Sequence, residues 1–173
     1  MHFRRYILTG TPGAGKTALL RALEARGHAV VEEAATDVIA LEQARGVAEP
    51  EKNPAFIEKI LTLQRARRAR ETAPLQFHDR STVCTYTLAR FLSHPLPDLG
   101  PGLYQSQVFF VRNLGHVEKT AARRIEFADA LRFEALHEEV YREFGYELID
   151  IPPAPVETRA DMIEDYLRLD GGT

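Results

Sequence analysis

Residues 10–17 read Gly-Thr-Pro-Gly-Ala-Gly-Lys-Thr, and no other stretch limits the fold as strongly. They satisfy the pattern G-x-x-x-x-G-K-[ST] in full, with the apolar run Tyr6-Ile7-Leu8 before them and the helical pattern Ala18-Leu19-Leu20-Arg21-Ala22-Leu23 after. Strand, glycine-rich turn and helix in that order make a phosphate-binding P-loop. Glycines lack Cβ, so the backbone wraps closely around an anion. Its N–H groups, with the positive end of the helix that opens at Gly15, form a nest for phosphate oxygens. The expected cradle is Gly10, Pro12, Gly13, Ala14, Gly15, Lys16, Thr17 and Ala18. Lys16 is expected to reach the β- and γ-phosphates, and the Thr17 hydroxyl to take a place on Mg²⁺.

The rest of the chain alternates strand and helix patterns. Strands are expected at 5–9, 28–31, 75–79, 107–111 and 146–151, and helices at 15–26, 34–45, 54–72, 82–92, 125–144 and 155–169. Five such alternations describe a doubly wound, five-stranded parallel α/β sheet. The 173 residues fit one domain with a full core, and no second domain or internal repeat is visible. A net charge of −3 gives no global field for nucleic acid. A lone cysteine, Cys84, excludes an intrachain disulfide. With no membrane-length apolar run and no signal-peptide layout, the expectation is a cytoplasmic protein without a membrane partner.

Ligands of such sheets lie beyond the carboxyl ends of the strands, so the polar residues there are the candidates. Asp79 closes an apolar strand as a Walker-B aspartate does, holding the Mg²⁺ shell; the alternative is a carboxylate that caps the next helix. Arg80 is placed to bind phosphate bidentately, or else to pair with Asp79 or Glu33. Of Glu32 and Glu33, strand alternation turns only one inward; Glu33 is favoured, to hydrogen-bond an acceptor hydroxyl. Arg123 and Arg124, with Lys119, are expected to stabilise transferred charge from a basic lid at 112–125; the alternative is a solvated helix start. Arg65, Arg67, Arg68 and Arg70 spread around their helix and read as solvated or paired. Gln64 is a weaker substrate-facing candidate, and Tyr86 and Tyr104 read as packing residues. The histidines have no metal-ligand spacing.

Several segments together resemble a small AAA-labelled family of predicted ATPases and kinases, related to nicotinamide riboside kinases. They are Ile7 to Thr17, Val30-Val31-Glu32-Glu33-Ala34, Phe77-His78-Asp79-Arg80-Ser81, Arg123-Arg124-Ile125-Glu126-Phe127 and Gly145-Tyr146-Glu147-Leu148. The resemblance covers essentially the whole chain and implies a P-loop fold of the nucleoside and nucleotide kinase type. Asp79-Arg80-Ser81 is similar to the D/E-R-[SY] segment of deoxynucleoside and thymidylate kinases, whose acid serves Mg²⁺ or acts as base and whose arginine binds phosphate. Glu33 matches the acidic residue that those kinases carry after the second strand. Thr36 departs from the pattern, which would have a basic residue there. Ring-forming AAA+ ATPases follow the Walker-B aspartate with a glutamate and add a helical lid domain; here Arg80 follows, and the chain leaves no room for that domain. No N-K-x-D stretch for guanine is present.

The expectation is therefore a kinase that uses ATP and Mg²⁺ on a small-molecule acceptor, a nucleoside or nucleoside-like metabolite. Its catalytic candidates are Lys16, Glu33, Asp79, Arg80, Arg123 and Arg124, and its metal ligands Thr17 and Asp79. The alternative from another class is an ATP-binding or ATP-hydrolysing regulatory module with no small-molecule acceptor.

Overall fold

A computed structural model describes residues 2–10, 13–113 and 121–171, with the side chains of 121–127 left undescribed. The strands are β1 (Arg4–Thr9), β2 (Ala29–Val31), β3 (Leu75–Asp79), β4 (Gln107–Val111) and β5 (Glu147–Ile151). The helices are α1 (Lys16–Ala25), α2 (Ala35–Ala44), α3 (Ala55–Arg70), α4 (Thr82–Phe91), α5 (Ala121–Glu143) and α6 (Val156–Asp170). The strands form one sheet in the order β2-β3-β1-β4-β5, with every neighbouring pair parallel. This is the expected five-stranded α/β sheet.

Both faces of the sheet are covered, which explains the continuous apolar runs of its strands. Successive side chains point to opposite faces. Tyr6 and Leu8 of β1 join Leu19, Leu20 and Leu23 of α1 and Ala160 and Ile163 of α6. Ile7, between them in sequence, joins Val83 and Cys84 of α4 and Val140 and Tyr141 of α5. Strand β4 divides likewise, Phe109 and Val111 going to the first cluster and Val108 to the second. A third cluster, built around Val38 of α2, Phe56 and Ile60 of α3 and Ala89 of α4, contains no strand residue. It is helix-on-helix packing, and it builds the wall of a cavity described below.

Two boundaries differ from the sequence expectation in ways that matter. Helix α3 stops at Arg70 rather than 72; Glu71 turns extended and its carboxylate accepts the Ala73 N–H at 2.8 Å. Pro74 disfavours helical backbone in the residue before it. Helix α5 begins at Ala121 rather than 125, which places Arg123 and Arg124 in a helix and not a loop. Alanine and arginine are strong helix formers, so Ala121 to Arg124 extend the helix without continuing its apolar pattern.

Candidate active site

Strand β1 delivers the chain to Gly10, whose φ is 144°. A Cβ there would lie 2.4 Å from the Val111 carbonyl oxygen, so only glycine passes so close to the end of β4. Gly13 and Gly15 also adopt positive φ, which bends the backbone into a tight loop. Thr11 and Pro12 lie outside the described residues. Gly13, Gly15, Lys16, Thr17 and Ala18 line one side of a cavity of about 370 Å³; Glu33, Thr36 and Arg80 line the other. Ala14 is buried beneath the loop, with no exposed surface.

Lys16, part of the lining of this cavity, meets Asp79, which does not line it. Both are buried, and Lys16 Nζ lies 3.2 Å from Asp79 Oδ1. The distance is that of an ion pair, but the approach makes no hydrogen bond, and Asp79 Oδ1 is buried without a donor. A buried acceptor left unmet costs about 1–3 kcal/mol, so this oxygen has capacity for a further ligand. A hydrated Mg²⁺ fits it. Mg²⁺ takes hard oxygens, retains several waters, and uses one or two protein groups beside the phosphates. The Asp79 carboxylate and the Thr17 hydroxyl are oxygens of that kind. No cluster of three or more histidine, cysteine or acidic side chains suited to a metal occurs among the described residues.

Next to Asp79, Arg80 adopts φ 67°, left-handed for a residue with a Cβ. Such backbone costs about 1–3 kcal/mol and persists where its surroundings hold it. The Arg80 N–H still donates to the Leu8 carbonyl at 2.9 Å, so the turn stays attached to the sheet. Its guanidinium is nearly buried, with Nε 3.4 Å from Glu33 Oε1 and no aligned hydrogen bond on that nitrogen. It also lies 5.8 Å over the Phe133 ring, within cation–π range. Glu33 therefore faces the cavity. Glu32 turns outward to Arg21 at 2.7 Å. Arg67 holds the end of β2, donating to the Glu33 carbonyl and the Asp37 carboxylate.

His137 lies behind Arg80. Its Nδ1–H donates to the Phe133 carbonyl at 2.8 Å, which leaves Nε2 as the acceptor facing Arg80 Nη1 at 3.5 Å. Burial, aided by the Arg80 charge, pushes its pKa down to about 3. His78 is pushed down to about 3 as well, first by burial and then by Arg5 and Arg68. Both are neutral when folded, whereas an unfolded imidazole protonates near pH 6.5. Between about pH 6.5 and 3 the unfolded chain binds more protons, so stability falls as pH falls. The expected loss from pH 7 to 5 is about 2 kcal/mol per histidine. Urea denaturation across that range reads it, and His78→Asn should remove close to half of the histidine contribution. An unchanged slope in that variant would contradict the assignment.

A second cavity, of about 300 Å³, adjoins the first and shares Glu33, Thr36 and Arg80 with it. Its remaining wall is mainly apolar, including Ile39, Phe56, Ile60, Leu88 and Phe133. Phe91 and Phe133 place their ring centroids 4.9 Å apart on this wall. Gln64 also lines it, but both ends of its amide are engaged: Oε1 accepts from Thr85 Oγ1 at 2.8 Å, and Nε2 donates to the Ser81 carbonyl at 3.1 Å. Thr36 contributes a hydroxyl where the family resemblance implied a basic side chain.

Other candidates lie apart from these cavities. Arg112 is held by Asp150 at 2.6 Å and Glu134 at 3.2 Å. Arg65 pairs with Glu58, and Arg68 stacks over Tyr104. Tyr104 packs edge-on against His78, and Tyr86 against Phe144. The side chains of Arg123 and Arg124 lie outside the described residues, as does Lys119. Sequence reasoning misses one residue at the P-loop: Arg159 of α6, whose Nη1 donates to the Ala14 carbonyl at 2.6 Å. Its one sequence signal is a charged residue beside Ala160 and Ile163 on the buried stripe of α6.

Residues 5–159 match the sequence profile of the AAA domain family. No curated protein sequence matches the chain significantly. Among solved structures, thymidylate kinase from Ehrlichia chaffeensis superposes with a TM-score of 0.63 at 12% identity, covering 97% of this chain and 99% of that one. Deoxyadenosine kinase from M. mycoides, solved with products dCMP and a flexible dCDP bound, gives 0.60 at 16% identity over 95% and 98%. Shikimate kinase from Acinetobacter baumannii, in complex with shikimate, gives 0.56 at 15% identity over 98% and 94%. At these identities the likeness is one of fold.

Proposed function

Since the chain belongs to the AAA domain family, and since its fold is that of small-molecule kinases, we propose that it transfers the γ-phosphoryl group of ATP to a hydroxyl of a small molecule. The acceptor is a nucleoside or a nucleoside-like metabolite. The observation that carries this reading is the pair of adjoining cavities with Glu33 and Arg80 on their common wall. A hydrolase or a nucleotide switch needs the P-loop cavity alone. A kinase needs a second, water-poor cavity that opens onto the first.

The groups then divide the work. The loop amides and Lys16 hold the β- and γ-phosphates. Asp79 and Thr17 would hold Mg²⁺, which would offset the charge of the phosphates when bound. Glu33 accepts the hydrogen bond of the acceptor hydroxyl and orients it. Arg80 balances Glu33 in the resting protein and faces negative charge when the phosphates arrive. The apolar wall takes the flat body of the acceptor, and Arg80 is the only cationic side chain lining that cavity among the described residues. That favours an acceptor without a phosphate of its own. Residues 112–125 are proposed as a basic lid on a single domain spanning 1–173, with Arg123 and Arg124 as charge stabilisers. Among the described residues, no helix is long and apolar enough to cross a membrane; a cytoplasmic location is part of the proposal.

Acceptor-stimulated ADP release, measured over a panel of nucleosides, tests the reading. Leu88→Trp fills the second cavity and should raise the acceptor KM about 10-fold or more, an order-of-magnitude figure for a blocked pocket, while ATP affinity stays within about twofold. Glu33→Gln should lower turnover by roughly 10²-fold or more with ATP affinity nearly unchanged. Stimulation that survives Leu88→Trp at full strength would place the acceptor elsewhere.

A further inference from the structure

Among the described residues Arg159 is the most deeply buried arginine, 3% exposed, and none of them forms an ion pair with it. All three of its donating nitrogens go to backbone carbonyls. Nη1 donates to Ala14 at 2.6 Å, Nη2 to Arg112 at 2.6 Å and Nε to Pro152 at 3.0 Å. Those carbonyls follow β1, β4 and β5, so one planar group ties three loops at the carboxyl edge of the sheet. Gly15 fits against it closely: a Cβ there would stand 3.3 Å from Nη1.

The direction of the Ala14 carbonyl matters to the ligand. In a trans peptide the C=O and the following N–H point opposite ways. Drawing the Ala14 carbonyl back onto Arg159 therefore aims the Gly15 N–H away from Arg159. The cavity is lined by Gly13, Gly15, Lys16 and Thr17, and neither Ala14 nor Arg159 is part of its lining. A guanidinium suits this position because it stays charged and its donors form a rigid fork that serves several acceptors at once. Among the described residues its charge has no acidic partner, and a buried cation with none favours an anion close by.

We infer that Arg159 is a positioning residue of the nucleotide site: it aims the Gly15 amide at the nucleotide's phosphates, and those phosphates complete its charge balance. The inference rests on the proposed ATP site at the P-loop. It adds that the affinity of that site depends on a residue in the last helix.

The test compares Arg159→Lys with Ile163→Ala, a variant that opens a void in the same helix–sheet core and removes no hydrogen bond to the P-loop. Calorimetry with Mg²⁺–ATP should show Arg159→Lys weakened by 10-fold or more. A lysine keeps the charge but cannot hold three carbonyls in one plane. Ile163→Ala should lower the melting temperature and leave the ATP Kd within twofold. In the unaltered protein, the Arg159 Nε–H resonance should shift when Mg²⁺–ATP or Mg²⁺–pyrophosphate is added, and not with adenosine. That second reading stands even if Arg159→Lys does not fold. Equal weakening in both variants, an unchanged Kd in Arg159→Lys, or a resonance that ignores pyrophosphate would reduce Arg159 to a structural tie. If the unaltered protein binds no ATP, the proposed function itself falls, which is a different outcome.

Discussion

Lys16→Ala is expected to weaken Mg²⁺–ATP binding by on the order of 10²-fold and to lower phosphoryl transfer further, by about 10³-fold. The ammonium belongs to the lining of the P-loop cavity, is nearly fully buried, and points at Asp79. Replacing it removes the charge placed for the β- and γ-phosphates. It also leaves a buried carboxylate facing the incoming anion with no cation between them, and removing one partner of a buried pair costs about 3–5 kcal/mol. The resting protein should therefore be less stable, and added ATP should protect it less than it protects the parent. Calorimetry and thermal unfolding with and without nucleotide read the two effects separately. An intact variant with the parent's ATP affinity would show that the phosphates do not lie at Lys16.

Asp79→Asn is expected to act through the metal. The substitution keeps the shape and removes the charge, so the buried oxygen that now lacks a donor no longer offers a carboxylate to hydrated Mg²⁺. Turnover should fall by about 10²-fold or more, and the Mg²⁺ concentration needed for half-maximal rate should rise. Metal-free ATP should still bind, because Lys16 and the loop amides remain. Titrating Mg²⁺ at saturating ATP gives the result directly. A Mg²⁺ dependence identical to that of the parent would return Asp79 to a purely structural role, as the buried partner of Lys16, since Ser81 is the residue that caps α4.

The periodic parts of this architecture are legible in the sequence. Strands β3 and β4 fall on the expected residues, 75–79 and 107–111: β3 starts after Pro74, and β4 is the run Val108 to Val111 that Arg112 ends. Asp79 stands out because it is the charged residue at the carboxyl end of β3. Strand alternation separates Glu32 from Glu33 only as a pair of options; the outward ion pair of Glu32 with Arg21 is a tertiary contact, and it makes the distinction. The left-handed backbone of Arg80 is not legible, since nothing local asks a residue with a Cβ to adopt it. Nor is Arg159, whose three acceptors are 145, 47 and 7 positions away in the chain. The second cavity is likewise a product of four helices meeting, and the composition of any one of them does not give its shape. Apolar periodicity places the start of α5 four residues late, because Ala121 to Arg124 extend the helix without continuing its apolar pattern.

If the two adjoining cavities bring a phosphate donor and a hydroxyl acceptor together, the fate of the γ-phosphate reveals it. The measurement uses ATP labelled at that phosphate, Mg²⁺ and each nucleoside of a panel in turn. Label should appear on one nucleoside, at a rate that far exceeds release to water, and this transfer should be lost in Glu33→Gln while ATP still binds. Label that passes only to water, at a rate no nucleoside changes, would contradict the kinase reading and leave an ATP-hydrolysing module in its place.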